Sequence, residues 1–122
     1  MTLEEIQAQL QSMLKAHCPP LQIRFDTDKK FEAAGTKERM QGKQKVDGFY
    51  FGSVIPKPKD IRLYFFPLYT HPTAFDEFSA ELQKCLKGKT CFHIKKMDDN
   101  LKAEITAMIK QGVELYIKDD LI

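Results

Sequence analysis

Val46-Asp47-Gly48-Phe49-Tyr50-Phe51-Gly52-Ser53-Val54-Ile55 and Ile61-Arg62-Leu63-Tyr64-Phe65-Phe66-Pro67-Leu68-Tyr69 are the stretches that decide the fold. Both are dense in aromatic and β-branched residues, the composition of strands. The connection Pro56-Lys57-Pro58-Lys59-Asp60 is short and proline-punctuated, so 46–55 and 61–69 read as an antiparallel hairpin. Neither stretch alternates cleanly. Each carries bulky apolar groups at odd and even positions, as central strands do. Pro67 has no N–H to give a ladder, so pairing is expected to fail near the end of the second strand.

Outward from this hairpin the period changes. Leu3, Ile6, Leu10, Met13 and Leu14 recur at helical spacing over residues 2–16, and Thr2 with Glu5 forms a capping-box pattern. Pro19-Pro20 stops that helix. Leu21, Ile23 and Phe25 then alternate with polar residues as a half-buried strand, Asp26-Thr27-Asp28 reads as a turn, and 30–34 as the returning strand. From 35 to 45 the chain is polar and basic without a period, an exposed loop or a loosely held hairpin. Thr73 is placed to cap a second helix striped by Phe75, Phe78, Leu82, Cys85 and Leu86, which Gly88 ends. Residues 89–95 alternate again. Asp98 or Asp99 starts a long last helix with Leu101, Ile105, Met108, Ile109, Gly112 and Leu115 on one side. The expected fold is a single α+β domain over 1–122. It has two layers: a mostly antiparallel sheet of about five strands, and N-terminal, middle and long C-terminal helices.

Composition narrows the function classes. At 122 residues the chain has room for one core, and 43% hydrophobic with 30% charged residues is the balance of a globular protein. No apolar run approaches the ~20 residues of a membrane span. The start is acidic and helical, unlike a signal peptide, so the expected location is cytoplasmic. Three cysteines cannot all pair within one chain and are expected as free thiols. A net charge of +2 does not argue for nucleic acid.

Phe51-Gly52-Ser53-Val54, then Leu63-Tyr64-Phe65-Phe66-Pro67-Leu68-Tyr69, then 88–96 (Gly-Lys-Thr-Cys-Phe-His-Ile-Lys-Lys) and the closing helix through Tyr116 together resemble the YdhG-like bacterial family of unknown function. The resemblance covers about the C-terminal two-thirds. It implies a compact frataxin-like α+β fold, and one branch of the family implies an iron-chaperone role. Frataxins bind iron through an acidic ridge on the first helix and neighbouring strand. Here those elements offer Glu4, Glu5, Asp26 and Asp28.

The residues themselves offer four groups to weigh. Cys91 and His93, two apart on a strand, leave the same face and could serve a metal site with His17 or Cys18, or act as a thiol and its base. No second paired-ligand element accompanies them, so neither a metal nor a cofactor is expected there. His71, between Thr70 and Pro72 at a strand-to-helix junction, could bind a ligand or simply hold the turn. Lys84, Lys87, Lys89, Lys95 and Lys96, with Lys37, Arg39, Lys43 and Lys45, could form an anion-binding surface, but exposed lysines mostly serve solvation. Tyr50, Tyr64, Phe66 and Tyr69 are the most suggestive. If the helices cover one sheet face, some of these rings leave the other, and an exposed aromatic patch marks a binding surface.

The expected function is therefore a non-enzymatic module that binds a small molecule or a protein through Tyr50, Tyr64, Phe66, Tyr69 and His71. A weak or moderate homodimer, or a pocket between that face and 35–45, is a related expectation. The alternatives are an iron carrier of frataxin type and a thiol enzyme using Cys91 and His93.

Overall fold

The computed structural model describes residues 1–122, Gln41 by its backbone alone. Helix α1 spans Leu3–Lys15, and its capping box is formed: the Thr2 hydroxyl accepts the Glu5 N–H, and the Glu5 carboxylate accepts the Thr2 N–H. Strands β1 (Gln22–Thr27) and β2 (Lys30–Ala34) follow, then a small hairpin of β3 (Arg39–Gln41) and β4 (Gln44–Val46). The central pair is β5 (Tyr50–Pro56) and β6 (Ile61–Phe65), and the last strand is β7 (Cys91–Ile94). Helices α2 (Pro67–Thr70), α3 (Ala80–Cys85) and α4 (Asp99–Lys118) complete the chain. Five strands form one antiparallel sheet in the order β1-β2-β5-β6-β7, the α+β architecture expected.

One continuous core lies between sheet and helices. Ile6, Leu10 and Leu14 of α1, Leu82 of α3, and Leu101, Ile105, Met108 and Ile109 of α4 meet Phe31, Val54, Leu63 and Phe92 of the strands. The last four are neighbours in register across the sheet, so they share a face. The two long helices therefore lie on one side.

The sheet departs from simple register between Ile23 and Phe25 of β1 and again where β2 meets β5, and the second departure shapes the core. Ala33 pairs with Gly52 but Ala34 pairs with Tyr50, which makes Phe51 the extra residue of a bulge. Phe51 then turns into the core beside Tyr116 of α4, ring centroids 5.1 Å apart. Val54 also faces the core, whereas Tyr50, Ser53 and Ile55 face away. Strict alternation would keep Tyr50 with Val54, and Phe51 with Ile55. The bulge separates both pairs.

Three boundaries also differ from the periodicity. The strand expected over 61–69 ends at Phe65, because Pro67 starts the single turn of α2 at a position where its missing N–H costs nothing. The helix expected from Thr73 is instead a 3-10 turn at Pro72–Phe75, a break, and the short α3. Ser79 makes that break: its hydroxyl caps Leu82, while its N–H and hydroxyl donate to the Glu104 carboxylate at 2.9 and 2.6 Å. The strand expected over 46–55 begins only at Tyr50, and Val46 closes the β3–β4 hairpin instead. Arg39 anchors that hairpin by donating to the Asp119 and Asp120 carbonyls at the end of α4.

Close approach of α4 to β6 depends on Gly112, where a Cβ would lie 2.6 Å from Phe65 Cζ and 3.1 Å from Pro67 Cγ. The Phe65 ring is pinned edge-on by Phe51 and Phe75 and has little freedom to retreat. Gly112→Ala gains up to about 1 kcal/mol of helix propensity, against about 1–3 kcal/mol for overpacking. Urea unfolding is expected to show a net loss. A raised midpoint would mean that the ring has room.

Candidate functional site

On the face turned away from the long helices, cross-strand pairing lines up Phe25, Glu32, Ser53, Tyr64 and Cys91, one residue from each strand. A second row holds Ile55, Arg62 and His93. The face is mixed in character: Ser53 sits on the central strand with Glu32 and Tyr64 on either side, and Phe25 and Cys91 lie on the two edge strands. Glu32 is held by Lys30 at 3.1 Å with Arg24 at 4.0 Å, and Arg24 also donates to the Gly48 carbonyl. Lys30 Nζ lies 4.4 Å from the centroid of the Phe25 ring, a cation–π contact on a ring 47% exposed.

Tyr50, Phe66 and Tyr69 form a chain of rings, with centroids 5.5 Å apart between Tyr50 and Phe66 and 5.4 Å apart between Phe66 and Tyr69. Phe49 joins at Phe66. Tyr50 is half-buried, its hydroxyl 2.6 Å from Ser53 Oγ, and burial pushes its phenol well above the usual range. Tyr64 stands beside Cys91, with burial and that thiol raising its phenol. Tyr69 is 59% exposed, with Lys89 Nζ 5.9 Å from its ring centroid. Four of the five residues expected to bind a ligand are thus neighbours along β5, β6 and α2. His71 is placed differently. Its Nδ1 lies 2.7 Å from Thr70 Oγ1 and its Nε2 2.7 Å from Asp119 Oδ2, so its ring ties the α2 region to the end of α4.

Cys91 and His93 do share the open face, yet their polar contacts diverge. His93 Nδ1 lies 3.6 Å from the buried Asp60 carboxylate, which Arg62 Nε also reaches at 3.3 Å. A carboxylate side chain only 9% exposed needs such partners, because desolvating an unpaired charge is costly. Cys91 neighbours Tyr64, and burial pushes its thiol up, against thiolate chemistry. Two of the four acidic residues named by the frataxin resemblance have local partners: Glu5 closes the capping box and Asp26 pairs with Lys15 at 3.2 Å. Among the described residues, no three His, Cys, Asp or Glu side chains gather in a set able to hold a metal ion.

Beyond β7 the structure brings part of the lysine group named above into one place. Lys84, Lys87, Lys95 and Lys96 line one cleft of about 400 Å³ together with His93 and Leu101. The signal available in the sequence was lysine density on both sides of a strand. What it lacked was the pairing of Leu86 with Phe92 that folds one group against the other.

All three thiols are raised by burial, so each remains protonated at neutral pH. Iodoacetamide at about pH 7.5 is expected to modify native Cys91 more slowly than the same residue in the urea-unfolded chain. Faster modification in the native protein would restore the activated-thiol reading.

No protein-family model, no curated protein and no solved structure matches this chain.

Proposed function

We propose that this chain is a non-enzymatic binding module whose open sheet face takes a protein partner. The observation that carries the reading is the contact chain Tyr50–Phe66–Tyr69 on that side of the sheet. These rings pack on one another and so fill the surface instead of framing a cavity. A filled aromatic surface suits a second protein surface better than an enclosed small molecule. Exposed Phe25 and Tyr69 extend the apolar area. Arg24 and Lys30 set against the single Glu32, with Lys89 over the Tyr69 ring, leave the rim net positive, which favours a partner with an apolar centre and acidic edges.

This reading fits the site better than the two alternatives. The thiol-enzyme reading asks His93 to serve Cys91, but its Nδ1 turns to Asp60. The iron-carrier reading asks for a free acidic ridge, but Glu5 and Asp26 already have partners.

Selection of displayed random peptides on the native chain, with counter-selection on Tyr64→Lys, tests the proposal. Enriched sequences should combine aromatic and acidic residues, and Tyr64→Lys or Tyr69→Ala should weaken the best of them by about tenfold or more, the scale of an interface hot spot. No enrichment over the counter-selected variant would remove the open face as a binding surface.

A further inference from the structure

The cleft outside β7 has an independent argument. Its lysines come from two segments: Lys84 and Lys87 at the end of α3 and just beyond it, Lys95 and Lys96 just after β7. The Leu86–Phe92 bridge and the Lys87 N–H, bonded to the Cys91 carbonyl at 2.8 Å, close the two segments on each other. Four lysines thus line one concavity. Among the described residues, none of the four is in a salt bridge. Two carboxylates also line the cleft. Asp60 is already matched by Arg62 and His93, which leaves Glu81 alone against four lysines.

Local explanations account for only half of this charge. Lysines at a helix C-terminus are favoured by the helix dipole, which covers Lys84 and Lys87. That dipole is small in a helix of six residues. Lys95 and Lys96 follow a strand and have no such reason. Leu101, Cys85 and the lysine stems add an apolar wall, and about 400 Å³ falls in the range of small-molecule sites.

We infer that this cleft binds a small molecule carrying two or more adjacent oxyanion groups, phosphate or carboxylate. Lysine fits that role: each ammonium is a mobile point charge that adapts to oxyanions of differing geometry. Several such charges at one concavity favour a clustered anion over a single one.

Calorimetric titration of the full chain at near-physiological salt tests this, with pyrophosphate, citrate, orthophosphate and a single-stranded oligonucleotide as separate arms. Pyrophosphate or citrate should saturate one site, and whichever binds tighter identifies the oxyanion. Orthophosphate should bind at least about tenfold more weakly. Lys87→Ser with Lys95→Ser should weaken the polyanion by about tenfold or more. Lys29→Ser with Lys43→Ser removes equal charge from other exposed turns and should change affinity by less than about twofold. All four substituted lysines are exposed, and matching thermal melts verify that both double variants fold. The inference is overturned if neither polyanion saturates or if both double variants lose affinity equally. It is likewise overturned if the oligonucleotide binds more tightly than either polyanion.

Discussion

The hydroxyl of Tyr116 donates to the backbone carbonyl of Tyr50, and the division of the sheet into two chemical faces depends on the place where that bond lands. Tyr116 is fully buried, so its hydroxyl must find an acceptor inside the protein. The acceptor belongs to the residue just before the bulge at Phe51. Helix α4 is thereby joined to the point at which β5 changes phase. On one side of that point Phe51 packs edge-on against Tyr116 and Phe65. On the other, Tyr50 leaves the core and joins Phe66 and Ser53. An aromatic-rich strand can thus supply a core and a surface at once.

The elements legible in the sequence were those whose signals are local. The Thr2–Glu5 box, the α1 and α4 stripes and the Asp98 cap each rest on residues within a turn or two of one another. What escaped were features set by distant partners. The bulge is invisible in β5 alone, because either phase buries aromatic residues and only α4 and β2 choose between them. The break before α3 depends on Glu104, 25 residues away along the chain, receiving both donors of Ser79. Pro67 marked the end of a strand correctly, but not the helical turn it begins.

The candidate site divides along the same line. Tyr50, Tyr64, Phe66 and Tyr69 could be named from composition, since two aromatic strands beside one helical layer must turn some rings outward. His71 was named for its junction, and its ring instead links that junction to Asp119. The lysines around β7 could be grouped from the sequence, but which of them share a cleft follows from one β-bridge. The proposed aromatic face and the inferred lysine cleft place two distinct chemistries side by side on one small scaffold. Asp60, Arg62 and His93 lie between them and hold each other in place.

The central claim is that the bulge at Phe51 sends Phe51 inward and Tyr50 outward. Nuclear Overhauser contacts between assigned aromatic protons test it most directly. The account predicts Phe51 contacts to Tyr116 and Phe65, with Tyr50 contacts to Phe66 and none to the Leu10 or Ile109 methyls. Tyr50 contacts to those core methyls, with Phe51 lacking contact to Tyr116, would contradict it.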